Sequence, residues 1–429
     1  MLSYLLRKIA YGLVVLWGVI TLVFAIFSIN PGDPARMLLG QRVDEESLSK
    51  VRKELGLDLP WHRQYLLYLN DISPISLHPS EPGSGYASLD PGKYSFRKII
   101  DTGSSTLVLK WPYLRRSFQS RKPVTEIIKE AFPGTLVLAL TAIAFALVFG
   151  VAGGIVSAVY KGSFLDGFSI FAAVLGMSAP SFFSAIIISW LGGYLWASAF
   201  SMPVLPVVCA LSGVLLGIFS KSASAKSMAA LSLGIKGALL GFALHLAHAA
   251  FFALSGLSLM PHSLAFLDLP GTGLNMTGSL YDVDIIEGEY LALHNLILPA
   301  ITLGIRPLAV VVQLMRNSML DVLQQDFVRT ARAKGLSEFR IVVGHALRNA
   351  LNPVVTAISG WFASMLAGAV FIEFVFNWKG LGLQVFTSLQ NDDYPVVMGA
   401  VLVIAVSFVL INILVDLIYA WLDPRIRLA

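Results

Sequence analysis

Ionisable side chains inside apolar segments are the first candidates for chemistry in this chain of 429 residues. Arg306 lies near the middle of an apolar segment, whereas Glu373 and Asp416 lie near the ends of two others. A cation at mid-membrane depth costs roughly 2.5 to 3.5 kcal/mol on insertion scales, so we expect Arg306 to face a partner helix or an aqueous pathway. Glu373 and Asp416 are candidate pathway residues, but solvation at the membrane interface explains them equally well.

Histidine and cysteine give little support for a metal or cofactor site. His245 and His248 could share a metal ion, yet a protein zinc site needs at least a third ligand and none lies nearby in the sequence. Cys209 is the single cysteine, which excludes a disulfide framework and a thiol metal cluster. No stretch matches the nucleotide-binding pattern G-x-x-x-x-G-K-[ST]. We therefore expect no cofactor, no catalytic residue and no ATP site within this chain.

The composition is that of an integral membrane protein. Hydrophobic residues make up 56% of the chain and charged residues only 13%, and the mean hydropathy is +0.73. The formal charge of +5 could suggest nucleic acid. However, outside the first large loop most basic residues flank apolar segments, as membrane topology requires. We expect an all-α polytopic protein in contact with lipid and no nucleic-acid partner.

Eight apolar segments are long enough to cross a bilayer, for which a helix needs about 20 residues. The first segment follows Arg7-Lys8 and is too long for a signal peptide, so we expect an uncleaved span. The predicted spans are residues 9–29, 133–159, 167–192, 203–219, 229–256, 296–318, 351–376 and 396–421. Residues 30–131 and 261–295 are then loops on one side of the membrane.

Lys and Arg in the short connections orient the spans. The side that carries only Lys379 also contains the acidic loop 261–295. The opposite side carries Arg7, Lys8, Lys161, Lys221, Lys226, six basic residues between Arg316 and Arg348, Arg425 and Arg427. The positive-inside rule makes this second side cytoplasmic, with both termini, whereas long loops such as 30–131 translocate largely regardless of charge.

The cytoplasmic connection 316–350 is amphipathic. Leu323, Phe327 and Ala331 recur at helical spacing, and Gly335 is expected to end this helix in a left-handed conformation. Ser337 is expected to cap a second helix. The predicted apolar stripe of that helix consists of Phe339, Val342, Val343, Ala346, Leu347 and Ala350. A helix-turn-helix between two spans is suited to receive mechanical work from a soluble partner, although an interfacial hairpin on lipid would share this pattern.

This connection resembles the EAA loop of ABC-importer permeases, in which Glu-Ala-Ala is followed by three residues, a glycine, nine residues and an apolar-x-Leu-Pro ending. Arg329 and Thr330 replace the first two residues, and His345 and Arg348 replace the apolar residue and the proline. These departures are similar to the peptide and nickel branch of the family, where RTARAKGL and HALRNAL are typical. The motifs PGDP at 31–34, ELGLD at 54–58 and LDPRIR at 422–427 also resemble that branch.

The resemblance implies a type I importer fold, a bacterial inner-membrane location and a loop that docks into a cytoplasmic ATPase. The loop residues carried over from the family are Arg329, Thr330, Ala331, Ala333, Gly335, Leu336, His345 and Leu347. The implied partners are a second homologous permease, two ABC ATPases and an extracytoplasmic solute-binding protein. ATP binding would then switch the spans from inward-open to outward-open.

Two regions depart from the family pattern. Residues 70–112 within the first loop are rich in Ser, Pro and Gly and are expected to form an irregular surface insertion. Residues 193–260, which contain the segments 203–219 and 229–256, are expected to form an extra transmembrane hairpin. The predicted layout is thus a first span in 1–29, two spans in 132–192, the hairpin, and a permease core in 296–429.

Two alternatives stay open at the level of sequence. An ion- or proton-driven secondary transporter would use Arg306, Glu373 and Asp416 without an ATPase, although no inverted pair of broken spans is visible. A membrane metalloenzyme built on His245 and His248 is the weaker alternative. The motifs do not indicate whether the solute is a dipeptide, an oligopeptide, nickel or another compound.

Overall fold

The computed structural model describes residues 2–29, 35, 44–79, 89–90, 93–101, 105–218, 226–255, 266–284 and 288–422. The chain forms two compact units, Met1–Thr141 with Ile358–Ala429, and Ala142–Ala357. The motifs at 31–34 and 423–427, the middle of the predicted insertion at 80–88 and the basic turn at 221–225 lie outside the described residues.

The first unit begins with three helices. Helix α1 (Leu2–Ile29) is apolar, α2 (Glu45–Leu55) is capped by Asp44, and α3 (Trp61–Ile72) follows Pro60. The carboxylate of Asp44 accepts a hydrogen bond from the Ser47 amide at 2.9 Å. Helix α2 ends at Gly56, whose φ of 69° is the left-handed conformation common after helices.

A small sheet follows these helices and corrects the prediction of an irregular insertion. Strands β1 (Ile75–Pro79), β2 (Phe96–Asp101) and β3 (Ser105–Lys110) form an antiparallel sheet in the order β1-β3-β2. In β3, Thr106, Val108 and Lys110 are buried on one face, while their neighbours are more exposed. Alternation of buried and exposed residues is the pattern typical of a strand. The sequence analysis missed it because many turn residues lie between the strands.

The remaining helices of the first unit are a part of α4 (Val124–Val159), the end of α13 (Asn352–Gly368), α14 (Val370–Val375), α15 (Leu381–Gln390) and α16 (Tyr394–Leu422). Their core contains Val124, Ile128, Leu381 and Val396. The predicted span 351–376 is therefore not one helix, because α13 ends at Gly368 and the short α14 follows it.

The second unit contains the rest of α4, followed by α5 (Phe164–Ser178) and α6 (Ser181–Trp190). The latter two helices are bent by 111° at Ala179-Pro180, within the predicted span 167–192. The residue before a proline is disfavoured in the helical region, and Ala179 accordingly has an extended ψ of 131°. A π-helical turn, Leu191–Leu195, extends α6.

The predicted hairpin 193–260 contains two helices, α7 (Val204–Ile218) and α8 (Lys226–Ser255). They approach closely at glycines: a β-carbon added at Gly213 would meet the Leu233 carbonyl, and one at Gly237 would meet that of Cys209. Small residues at such crossings let helices pack in lipid. Strands β4 (Phe200–Pro203) and β5 (Phe266–Leu269) pair at the end of the hairpin, while β6 (Tyr281–Asp284) pairs with β7 (Gly288–Leu291).

The last long helix of this unit is α9 (Ile297–Leu323), which follows a 3-10 turn at Leu293–Leu296 and contains Pro307. Five described helices are long and apolar enough to cross a membrane, or six if the bent α5–α6 pair is one span. Among the described residues this criterion is met by fewer helices than the eight spans predicted, and the total number of spans stays a prediction. The differences are the bend at Pro180, the short apolar part of α7 and the interruption after Gly368.

Candidate functional site

The connection after α9 is a helix-turn-helix, as predicted. Helix α10 (Asp326–Ala333) is followed by a turn and then by α11 (Glu338–Arg340), a π-helical segment Ile341–Ala346 and α12 (Leu347–Ala350). We call residues 326–350 the coupling segment, after the role that the sequence analysis predicts for it. Gly335 has a φ of 76°, which confirms the left-handed turn. Ser337 occupies the N-cap position but makes no side-chain capping bond.

The coupling segment has a small core of its own. Val328, Ala331 and Ile341 are buried together, and Leu323 and Leu336 pack against them. Across the turn, the Arg332 guanidinium donates to both carboxylate oxygens of Glu338 at 2.7 and 3.1 Å. This pair holds the pKa of Glu338 below its usual value. The two helices are thus fixed to each other by apolar contact and by an ion pair.

The outward face of the segment corrects the predicted apolar stripes. Phe327 is 37% exposed, Phe339 76% and Val343 46%, whereas Ile341, absent from the predicted stripe, is fully buried. A helical pattern identifies apolar positions but not which of them pack within the segment. The segment thus exposes three large apolar side chains, Phe327, Phe339 and Val343, which we together call the apolar patch.

The family residues are divided between the core and the surface. Ala331 is buried and Leu336 and Leu347 are half-buried, while Arg329, Thr330, Ala333, Gly335 and His345 are exposed. Nη1 of Arg329 lies 3.4 Å from Oδ1 of Asp326, and the Thr330 hydroxyl donates to the Asp326 carbonyl at 2.9 Å. Their role in docking stays a prediction.

A buried ion pair beside the segment was missed by the sequence analysis. Arg316 on α9 donates to Asp166 at the start of α5, from Nε to Oδ1 at 2.6 Å and from Nη2 to Oδ2 at 2.9 Å. Ser157 and the amide of Gly162 donate to the same carboxylate at 2.6 and 2.9 Å. The residues are 150 positions apart, and the only signal in the sequence was an acid in the short connection that contains Lys161.

Glu373 is not solvated at the membrane interface, which was one of the two interpretations of this residue in the sequence analysis. Its side chain is fully buried in the first unit. The carboxylate accepts hydrogen bonds from the Thr135 hydroxyl at 2.6 Å and from the Leu383 amide at 2.9 Å. A β-carbon at Gly380 or Gly382 would collide with the same carboxylate. Glu373 therefore occupies a closed cage formed by α4, α14 and α15.

The other polar candidates lie on different elements. Arg306 is exposed on α9, and none of the described residues forms a hydrogen bond or ion pair with it. Asp416 lies on α16, but its side chain is outside the described part of the structure. His245 and His248 lie on α8. No group of three potential metal-binding side chains occurs among the described residues.

Comparisons with known proteins match this chain to transport-system membrane components. Residues 150–428 match the family described as binding-protein-dependent transport system inner membrane component, and residues 1–79 match the N-terminal model of such membrane components. The dipeptide transport system permease protein of Escherichia coli is 32% identical over 100% of this chain and 99% of its own length.

Two further relatives have similar coverage. The dipeptide transport system permease protein of Alkalihalophilus pseudofirmus is 29% identical over 100% of both chains. A probable D,D-dipeptide transport system permease protein of Escherichia coli is 32% identical over 98% of this chain and 97% of its own length. The resemblance seen in the coupling segment is confirmed: the chain belongs to the family of binding-protein-dependent transport system inner membrane components, the multi-pass permease subunits of ABC importers.

Proposed function

We propose that this chain is the permease subunit of an ATP-driven importer that moves peptides across the inner membrane. Its partners would be a second permease, two cytoplasmic ATPases and an extracytoplasmic binding protein, with both termini of the chain in the cytoplasm. The observation that carries the proposal is the exposed apolar patch Phe327, Phe339 and Val343 on a braced helix-turn-helix. The peptide class is supported by the names of the relatives.

The apolar patch is suited to a protein cleft. Phe339 presents an aromatic side chain at 76% exposure, and buried aromatic residues are frequent anchors of protein interfaces. Arg329 and His345 of the same segment are also exposed and would contribute to a polar rim. The internal core of Val328, Ala331 and Ile341 keeps the patch rigid, so little conformational entropy is lost on docking.

Movement of the coupling segment would reach the spans through α9. This helix runs directly into the segment, since only Gln324 and Gln325 separate Leu323 from Asp326. The Arg316–Asp166 pair then ties the end of α9 to the start of α5. A displacement of the coupling segment would therefore move two helices together rather than bend one connection.

The test is a charge placed on the patch. Phe339→Asp should lower recovery of the ATPases with the purified permease, and solute-stimulated ATP hydrolysis, by at least tenfold, because an unpaired charge buried at an interface costs several kcal/mol. Ser337→Asp is the matched control: it adds the same charge two residues away at an exposed N-cap position, where Asp is favourable. Equal ATPase recovery for wild type and both variants would contradict docking through this patch.

The alternative of an ion-coupled secondary transporter is weakened by the cage around Glu373, which removes one of its three candidate pathway residues. A secondary transporter would take up solute in response to an ion gradient without any partner subunit. Uptake into ATPase-free proteoliposomes that responds to an imposed ion gradient would favour it over the proposal.

A further inference from the structure

One face of α9 is polar along more than half of the helix. The polar residues are Arg306, Gln313, Asn317 and Gln324, where Gln324 is the residue immediately after the helix. They are seven, four and seven positions apart. At about 100° per residue these steps place all four within about 20° of a common line, and the line is about 27 Å long. We call this row of residues the α9 polar track.

The polar track lies opposite the packed side of α9. A β-carbon at Gly150 would meet Val311, one at Gly154 would meet Met315 and one at Gly176 would meet Ile305. Ala309 and Val312 are buried against Ala173 of α5. These close contacts with α4 and α5 prevent rotation of α9, so the track stays on the free side of the helix. Its members are exposed or half-buried.

A polar row of this length is not compatible with hydrocarbon. Arg306 lies near the middle of the membrane-length segment Leu293–Leu323. No described residue neutralises its charge. A buried or lipid-facing cation without a partner is costly, and such residues usually face a water-filled cavity or its ligand. The track then runs from mid-depth to the coupling segment, as one wall of an aqueous route would.

We infer that the α9 polar track lines the solute pathway and that Arg306 binds the carboxylate of the transported solute. The inference rests on the proposed importer function and adds the recognised group. A guanidinium presents two parallel N–H donors that match the two oxygens of a carboxylate, and every peptide with a free C-terminus carries such a group. The amides of Gln313 and Asn317 offer both donors and acceptors along the way to the cytoplasmic end.

The first experiment measures anion attraction at the track without relying on the solute. In the Cys209→Ser background, Gln313→Cys is treated with thiosulfonate reagents of equal size and opposite charge, in the assembled complex. With Arg306 present, the ratio of the anionic reagent's reaction rate to that of the cationic reagent should be at least five. Adding Arg306→Gln should abolish this preference. Unreactive Gln313→Cys, or a preference that persists without Arg306, would overturn the inference.

The second experiment measures transport in proteoliposomes at saturating loaded binding protein. Arg306→Gln should lower the maximal rate for a peptide with a free C-terminus at least tenfold, with normal recovery of the partner subunits, and Arg306→Lys should retain more of the rate. Arg63→Gln, which removes an exposed arginine from α3, is the matched control. Wild-type transport by Arg306→Gln, or loss of the second permease from that variant, would overturn the inference. Failure of the wild-type complex to transport would instead refute the importer function.

Discussion

The Thr135 hydroxyl donates a hydrogen bond to the Glu373 carboxylate at 2.6 Å, and both side chains are fully buried. The same hydroxyl oxygen accepts a hydrogen bond from the Leu381 amide at 2.7 Å. Next to this pair, the Trp378 indole donates to the Gly134 carbonyl at 3.0 Å. Thr135 therefore joins α4 to both α14 and α15, and Glu373 holds the turn between them.

Removing one member of this cage should destabilise the permease. Thr135→Val keeps the shape of the side chain but leaves the buried carboxylate without its hydroxyl donor, which costs about 1–3 kcal/mol or more for a charged group. We expect a lower apparent melting temperature of the purified protein in detergent. Thr141→Val is the control, because among the described residues the Thr141 hydroxyl bonds only to the Val137 carbonyl within α4. Equal melting temperatures for the two variants would show that the cage contributes no stability.

The Arg316–Asp166 pair should matter for coupling. Asp166→Asn weakens a bidentate buried pair, and removal of one buried charge typically costs about 3–5 kcal/mol. We expect ATPase subunits to be recovered with the variant, because the apolar patch is unchanged, but transport per ATP hydrolysed to fall. Asp326→Asn is the control, since its exposed contact with Arg329 at 3.4 Å is of the kind worth about 0–1 kcal/mol. Unchanged transport per ATP in Asp166→Asn would exclude a coupling role for the pair.

The turn of the coupling segment should depend on its glycine. A β-carbon at Gly335 would meet no atom within 4 Å, so the cost of substitution comes only from the backbone φ of 76°. Gly335→Val should cost more than the roughly 1–2 kcal/mol typical of this conformation and reduce ATPase recovery, whereas Gly335→Asn should be tolerated. Gly344→Ala also enters open space but at an ordinary φ and serves as the control. Recovery of the ATPases with Gly335→Val at the level of Gly344→Ala would contradict the prediction.

The small sheet should become more stable as the pH rises. Lys110 is 4% exposed, its ammonium lies 3.9 Å from the centre of the Tyr94 ring, and burial lowers its pKa to about 8. The neighbouring Asp71 opposes this shift and Lys93 adds to it. Below pH 8 both folded and unfolded chains bind the proton, so the folded state bears the full cost of the buried charge. Between pH 8 and the unfolded value of 10.5 the unfolded chain binds more protons, and stability increases.

Chymotrypsin resistance of this loop in the intact complex, normalised to cleavage of an unfolded peptide at each pH, would measure the effect. Wild type should become more resistant from pH 7 to pH 9. Lys110→Met should be more resistant than wild type at pH 7, where the buried charge is removed, and should show little change with pH. A Lys110→Met profile parallel to that of wild type would assign the pH dependence to other groups.

Several features of this protein could be predicted from short stretches of its sequence alone. Apolar segments of membrane length predicted α1, α4, α8, α9 and α16, because lipid requires every backbone group to be bonded within its own helix. Gly335 was predicted to be left-handed because glycine alone adopts this conformation at little cost. The spacing of RTARAKGL and HALRNAL was enough to indicate the family, which the comparisons confirm.

Tertiary structure decided the features that depend on residues far apart in the chain. Ile341 is buried and Phe339 exposed because the two helices of the coupling segment pack on each other, which a single helical pattern cannot show. Glu373 is caged by Thr135, which lies 238 positions away, and Asp166 is paired with Arg316, 150 positions away. The sequence alone determined which residues are charged and in which apolar segments they lie. Only the packing of the helices decided which of these charges are paired in the interior, as Asp166 and Arg316 are, and which, like Arg306, have no ion partner among the described residues.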